Sequence, residues 1–168
     1  MRGLLVLATA LAITAPSAKG LAEQAPRLVD ANEIKDLVRK QSGQIVLLNF
    51  WATWCPPCLV EFPEIVSLEK AYRRRGLAVI SVSADSPQRV DSDLLPFLDK
   101  HRSDFPIYVM ETNDVEAFMH RIDPEWNGDL PATFFIGRKG DVVIKRFGAM
   151  SREQMERALE YLFEEPEP

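Results

Sequence analysis

Two short runs of almost entirely apolar residues dominate the hydrophobic pattern of the chain. They are Ile45–Trp51 and Leu77–Ser83. Continuous apolar runs of this length are typical of strands that are covered on both faces, as in a parallel sheet. Between them, apolar residues recur at helical spacing over residues 59–74, and Gly76 follows as a helix cap. The pattern therefore predicts a strand–helix–strand unit with parallel strands and a right-handed crossover.

Helical patterns are also found near the two ends of the chain. Residues 28–40 predict a first helix that Asp30 caps, with Glu33 three residues further on as in a capping box. Ser151 and Gln154 have the same spacing and predict the start of a final amphipathic helix. The residues that we expect this last helix to bury are Met155, Leu159, Leu162 and Phe163.

The middle of the chain has a weaker pattern. Residues 93–102 and 113–122 predict two helices on either side of a short strand at Ile107–Met110, and Asn113 is the expected cap of the second helix. We interpret residues 84–125 as an insertion after the second buried strand and not as a second domain. The residues of helix 113–122 that we expect to face the core are Val115, Phe118, Met119 and Ile122.

The last part of the pattern is a hairpin. Residues 133–136 and Val142–Phe147 have strand character, and residues 137–140 form the turn between them. With the preceding elements, this predicts an α/β fold in which helices flank a central mixed sheet, formed by one domain over residues 28–165.

The first residues of the chain have the layout of a secretory signal. Arg2 provides a positive start, residues 3–15 form an uncharged, mostly apolar stretch of 13 residues, and small residues follow. Cleavage is expected after Gly20 or after Ala22. A helix needs roughly 20 residues to cross a bilayer, so we favour a removed signal at residues 1–22 over an uncleaved anchor. Either form predicts an exported protein.

Composition narrows the function classes further. A chain of 168 residues is long enough for one compact domain and too short for two ordinary ones. Its 46% of hydrophobic and 27% of charged residues are typical of a globular protein. The net charge is −5, without a basic face, which argues against nucleic acid as a partner. We expect a monomer.

The chain has only two cysteines, Cys55 and Cys58. A structural disulfide that closes so small a loop would remove little entropy from the unfolded chain. A zinc site would need about four ligands, and the only histidines, His101 and His120, lie far away in the sequence. The spacing therefore favours a redox-active pair, and no metal or other cofactor is implied.

The position of the pair assigns a role to each sulfur. Cys55 follows a buried strand and precedes a helix, and Pro57 suits the first helical position. The positive end of the helix would lower the pKa of the Cys55 thiol below about 8.5, so Cys55 is the expected nucleophile. The adjacent prolines withdraw two N–H donors, which predicts a moderate lowering. Cys58 lies one turn further in, is expected to be more buried, and would resolve the mixed disulfide.

Residues 49–63 read NFWATWCPPCLVEFP. This string resembles the active-site signature of the thioredoxin superfamily. In particular, it is similar to the exported TlpA/ResA/DsbE-like reductases that are associated with cytochrome c maturation. The resemblance covers residues 28–165 and implies a thioredoxin-like fold with thiol–disulfide oxidoreductase activity.

The resemblance also implies a substrate-binding surface. Leu130 and Pro131 match the cis-proline site of the family, where the Leu130 backbone would pair with an extended substrate as an added strand does. Without the resemblance, an ordinary trans proline would be the expectation. Trp54 and Pro56 are expected to contact the partner protein from the surface, and Trp51 is expected to pack in the core.

Glu61 matches an acidic residue near the active site of the ResA-like members, where it would exchange protons with Cys58. The alternative is a plain exposed helix carboxylate. Asn49 occupies the position at which many thioredoxins carry a buried Asp, and this departure increases the weight on Glu61.

Three other activities fit less well. A peroxidase of the peroxiredoxin type would need Thr and Pro where the chain has Ala52 and Leu48. A copper-site assembly chaperone would need a wider cysteine spacing and a suitably placed histidine. A net disulfide oxidant or isomerase stays open, because the direction of electron flow depends on the reduction potential.

The sequence thus predicts an enzyme that reduces or exchanges protein disulfides in the periplasm, and the resemblance extends this to cytochrome c maturation. The expected partners are protein disulfide substrates and, by the family analogy, a membrane thiol reductant as electron donor.

Overall fold

A six-stranded mixed sheet forms the centre of the computed structural model, which describes residues 26–164. Its strands follow the order β1-β4-β3-β2-β5-β6. The first four of these strands run parallel, β5 runs antiparallel to β2, and β6 runs antiparallel to β5. The strands are β1 Arg27–Val29, β2 Ile45–Trp51, β3 Leu77–Ser83, β4 Ile107–Met110, β5 Ala132–Ile136 and β6 Val142–Phe147.

Five α-helices cover the sheet: α1 Ala31–Arg39, α2 Pro56–Tyr72, α3 Leu95–Lys100, α4 Val115–Ile122 and α5 Arg152–Glu164. Short 3-10 turns at Arg73–Arg75 and Pro87–Arg89 and a π-helical turn at Val90–Leu94 complete the regular structure. The predicted thioredoxin-like arrangement of a mixed sheet flanked by helices is confirmed.

The two faces of the sheet have separate cores because successive side chains of a strand point to opposite faces. Leu47 and Trp51 of β2 face α2 and α5, where they pack with Phe62 and Leu159. Leu48 and Phe50 face α1 and α4 on the other side and pack with residues that include Phe118. All seven residues of β2 are buried, as the unbroken apolar run predicts.

Several predicted boundaries were wrong. Leu28 and Val29 belong to β1 and pair with Val109 and Met110 of β4, so the first helix starts only at Ala31. Helix α2 begins at Pro56, and Pro57 is its second residue and not its first. The insertion also contributes β4 to the interior of the sheet, between β1 and β3.

The helix predicted at 113–122 differs in two details. Asp114 caps α4 in place of Asn113, because its carboxylate accepts the Ala117 N–H. Val115 is 52% exposed and faces solvent, whereas Phe118 is buried as expected. The helix predicted at 93–102 is shorter and begins at Leu95, after the π-helical turn.

The predicted signal segment 1–22 lies outside the described residues. Over residues 26–164, the search for a membrane-crossing helix finds none with sufficient length and apolar character.

The capping box of α1 provides a stability test. Asp30 accepts the N–H groups of Asn32 and Glu33, and Glu33 accepts the Asp30 N–H in return. Asp30→Ala leaves these donors without their partner, and we expect a loss of about 1 kcal/mol in the free energy of unfolding. Urea denaturation would measure it. Asp36→Ala on the exposed side of the same helix is the control and should change stability by less than about 0.5 kcal/mol.

Candidate redox site

The cysteine pair lies where the central strand β2 passes into helix α2. Cys55 is the N-cap of α2, and its sulfur is joined to that of Cys58 by a disulfide with an S–S distance of 2.06 Å and a Cα–Cα distance of 5.3 Å. The predicted position of the pair, between a buried strand and a helix, is therefore correct.

The first turn of α2 offers few hydrogen-bond donors to Cys55. Pro56 and Pro57 have no N–H, and the N–H groups of Cys58 and Leu59 both donate to the Cys55 carbonyl. The helix dipole and not a set of free amides is therefore what would stabilise a thiolate at Cys55 in the reduced protein. The moderate lowering of the Cys55 pKa stays a prediction.

The side chains around the disulfide differ sharply in exposure. Trp54 is 63% exposed, whereas Cys55 is 5% and Cys58 1% exposed. Pro56 is also exposed. Cys58 is thus the more buried sulfur, as predicted. Trp51 is buried and packs against Phe62, as predicted for a core residue.

The Leu130–Pro131 peptide bond is cis, in agreement with the family's cis-proline site. Leu130 is half-buried and packs against the core cluster that contains both cysteines. The Pro131 carbonyl accepts the Gly148 N–H at 2.8 Å, which ties the start of β5 to the loop after β6. Gly148 has a φ of 95°, a conformation that favours glycine.

Glu61 is buried and not exposed, so the alternative of a plain surface carboxylate is wrong. It is 3% exposed, and its Oε2 accepts the Met150 N–H at 2.6 Å. Its Oε1 accepts from the Asn49 amide at 3.3 Å and from the Thr133 hydroxyl at 3.4 Å. Because Cys58 and Glu61 are three residues apart on α2, their side chains are neighbours on one face of the helix.

Burial raises the pKa of Glu61 above its ordinary value. The hydrogen bonds from Met150, Thr133 and Asn49 act in the opposite direction but only partly offset desolvation. A carboxyl group with a raised pKa next to a buried sulfur can take up and return a proton nearer to neutral pH than an exposed glutamate can.

Thr133 and the Met150 amide also belong to the site, and the sequence did not predict them. Asn49 and Thr133 are directly opposite each other in the antiparallel β2–β5 pair, and the Asn49 amide donates to the Thr133 hydroxyl at 3.0 Å. Pairing the central strand with the predicted hairpin would have placed Thr133 beside Asn49. The Met150 amide carries no side-chain signal, so sequence could not identify it.

The two histidines belong to other helices, His101 to the end of α3 and His120 to α4. His101 packs against the Phe97 ring, and His120 is exposed on α4.

The chain is similar to a known protein family over most of its length. The model of the AhpC/TSA family matches residues 16–145. Among curated proteins, the thiol-disulfide oxidoreductase ResA of Halalkalibacterium halodurans is 31% identical over 126 residues. The thioredoxin-like protein YneN of Bacillus subtilis is 32% identical over 127 residues. These alignments cover 74% and 75% of this chain, but only 66% and 69% of the two relatives.

Solved structures of similar fold include proteins related to thiol–disulfide exchange. A thiol:disulfide interchange protein of the thioredoxin family from Chlorobium tepidum superposes with a TM-score of 0.62 at 25% identity, over 74% of this chain and 83% of that one. StoA from Bacillus subtilis superposes with a TM-score of 0.53, also at 25% identity, over 69% and 82% of the two chains.

Proposed function

Because the chain belongs to the AhpC/TSA family of thioredoxin-fold proteins, and its relatives include thiol–disulfide oxidoreductases, we propose that it is a thiol–disulfide oxidoreductase that reduces protein disulfides outside the cytoplasm. The observation that carries this proposal is the Cys55–Cys58 disulfide at the start of α2, with the buried Glu61 one turn further along the same helix.

The proposed reaction transfers two electrons from the reduced pair to a substrate disulfide. The Cys55 thiolate attacks one substrate sulfur, forms a mixed disulfide and releases the other substrate sulfur as a thiolate. Cys58 then loses its proton to the Glu61 carboxylate and attacks Cys55. This step forms the intramolecular disulfide and releases the second substrate sulfur, so that the substrate is reduced and the enzyme pair is oxidised.

The exposed surface around the pair is suited to a protein substrate. Trp54 and Pro56 present apolar surface directly beside Cys55, which would bury part of an incoming chain. The Leu130 backbone, next to cis-Pro131, would hydrogen-bond an extended substrate segment.

The two prolines at the start of α2 favour a protein that reduces substrate disulfides over one that forms them. A strongly oxidising pair depends on a stabilised reduced form. Here Pro56 and Pro57 remove two N–H groups that could stabilise a thiolate, so the reduced form gains less from the helix start. Electrons would then have to come from a partner, which we propose is a membrane thiol reductant. Apocytochrome c is the substrate that the ResA-like relationship favours.

The reduction potential tests the direction. Equilibration with thiol–disulfide buffers, followed by alkylation and mass measurement, should give a value below about −200 mV, toward the thioredoxin value of about −270 mV. With dithiothreitol as the terminal reductant, the protein should also catalyse the reduction of insulin disulfides. A potential near about −120 mV would instead assign the protein to the oxidants. Rapid consumption of hydrogen peroxide without a disulfide substrate would favour a peroxidase.

A further inference from the structure

A second buried carboxylate contacts the loop of residues 52–54, which connects β2 to Cys55, and takes no part in the reaction described above. Asp85 follows the end of β3 and is 1% exposed. Its Oδ2 accepts the Thr53 N–H at 3.0 Å and the Ser83 hydroxyl at 2.6 Å, and its Oδ1 accepts the Thr53 hydroxyl at 2.6 Å. Both oxygens therefore bind Thr53 in the loop that leads to Cys55, and Oδ2 also binds Ser83 at the end of β3.

Thr53 is the middle residue of the three that connect β2 to Cys55. The residue after it, Trp54, is exposed, so it has few contacts of its own that could fix its position. The loop is also tied by the bond from the Ala84 N–H to the Trp51 carbonyl at 2.7 Å and by the bond from the Cys55 N–H to the Ala52 carbonyl. Thr53 is thus held by Asp85 through both its backbone and its side chain.

We propose that Asp85 is a positioning residue for substrate docking: by binding Thr53 at two points, it holds Trp54 and the Cys55 sulfur in the orientation that a protein disulfide meets. The inference rests on the proposed function. It adds a group that follows the end of β3, 30 residues from Cys55 in sequence, and acts on Cys55 through Thr53 without touching the substrate.

The hydrogen-bond pattern provides a variant that keeps the contacts and removes the carboxylate. In Asp85→Asn, the amide oxygen can occupy the Oδ2 position and accept from the Thr53 N–H and the Ser83 hydroxyl. The amide nitrogen then occupies the Oδ1 position and donates to the Thr53 hydroxyl oxygen. Asp85→Ala removes all three contacts. A positioning role through these bonds therefore predicts that Asn restores what Ala loses.

Steady-state kinetics of insulin reduction distinguish an effect on substrate docking, which changes KM, from an effect on the chemical step, which changes kcat. For Asp85→Ala we expect KM to rise about tenfold, because the contacts that hold Thr53 are lost, with a smaller change in kcat. Asp85→Asn should stay within about twofold of the parent. The control is Asp91→Ala, which makes the same change at an exposed aspartate of the π-helical turn and should leave KM unchanged.

Thr53 provides a second pair of variants in case Asp85→Ala does not fold. Thr53→Val keeps the size and the backbone contact but loses the hydroxyl, and Thr53→Ser keeps the hydroxyl. We expect a rise in KM for the valine variant and none for the serine variant. Equal kinetics for all four variants and the parent would overturn the proposal, as would an equal change in kcat and kcat/KM with KM unaffected.

A substrate-free measurement distinguishes failure of this inference from failure of the proposed function. In protein labelled with 5-fluorotryptophan, the 19F resonance of Trp54, assigned with Trp54→Phe, should broaden or shift in Asp85→Ala and return to the parent position in Asp85→Asn. If the parent does not reduce insulin but the resonance behaves in this way, the proposed function fails and the positioning of the loop stands. An unchanged resonance in Asp85→Ala contradicts the positioning role.

Discussion

Replacing Cys58 by serine will stop turnover and leave substrate proteins covalently attached to Cys55. The reason is that the two sulfurs have different roles: Cys55 caps α2 beside the exposed Trp54 and is itself 5% exposed, whereas Cys58 is 1% exposed. The attack on the substrate stays possible in Cys58→Ser, but the sulfur that would release the product is absent. Turnover should fall to the rate of the buffer alone.

The adducts are measured by incubating the reduced variant with a disulfide-containing protein and separating the mixture under non-reducing conditions. Dithiothreitol should dissolve the adducts, and mass spectrometry should locate the linkage at Cys55. The matched control is Cys55→Ser, for which we expect neither turnover nor adducts. If Cys55→Ser traps substrate and Cys58→Ser does not, the roles of the two sulfurs are reversed and the assignment is wrong.

Replacing Glu61 by glutamine should slow turnover about 100-fold at pH 7, the lower end of what a positioned acid–base group contributes. Glutamine fits the same space but cannot accept the Cys58 proton, so resolution of the mixed disulfide becomes the slow step. Because hydroxide can take over above the ordinary pKa of a thiol, about 8.5, the deficit should shrink as pH rises. A pH–rate profile with quenched-flow detection of the mixed disulfide would measure both effects.

Glu64→Gln is the matched control, since it makes the same change one turn along α2 at a residue that is paired with Arg152. It should leave the profile unchanged. A Glu61→Gln profile that parallels the parent profile at every pH would remove Glu61 from proton transfer and leave it a structural role.

Glu61→Gln should also change how the free energy of unfolding depends on pH. The pKa of Glu61 is raised in the folded protein, chiefly by burial, so folding favours its protonated form. The contribution of Glu61 is fully present below its unfolded pKa of about 4.3 and is lost as pH rises through the higher folded value. Glutamine does not ionise. The free energy of unfolding of Glu61→Gln, relative to the parent, should therefore improve as pH rises above about 4.3.

The sequence predicted most reliably what short-range patterns determine. The bounds of β2 and β3 agree with the structure because their runs are almost entirely apolar and begin directly after Gln44 and Gly76. The capping box at Asp30 was identified for the same reason, since its partners are two and three residues away. The start of α1 was wrong because Leu28 and Val29 pair with a strand about 80 residues later, which no local pattern reveals.

In the site, too, features within one sequence segment were predicted, whereas contacts between distant segments were not. Both cysteines and Trp54 could be identified from one contiguous string, and the cis peptide at Pro131 followed from the family resemblance. The burial of Glu61 could not be decided, because its three partners are 12, 72 and 89 residues away. Asp85 was missed for the same reason: its contact with Thr53 spans 32 residues and depends on the parallel pairing of β2 and β3.

The register of the sheet determines where the first described strand lies relative to the redox site. Arg27 pairs with Tyr108, Tyr108 with Val82, and Val82 with Phe50, so the first described strand enters the sheet level with the end of β2. Three strand spacings, about 14 Å, separate the two strands. The start of β1 therefore lies at the flank of the domain, level with the strand end that leads to Cys55 and within reach of a partner protein bound at the disulfide.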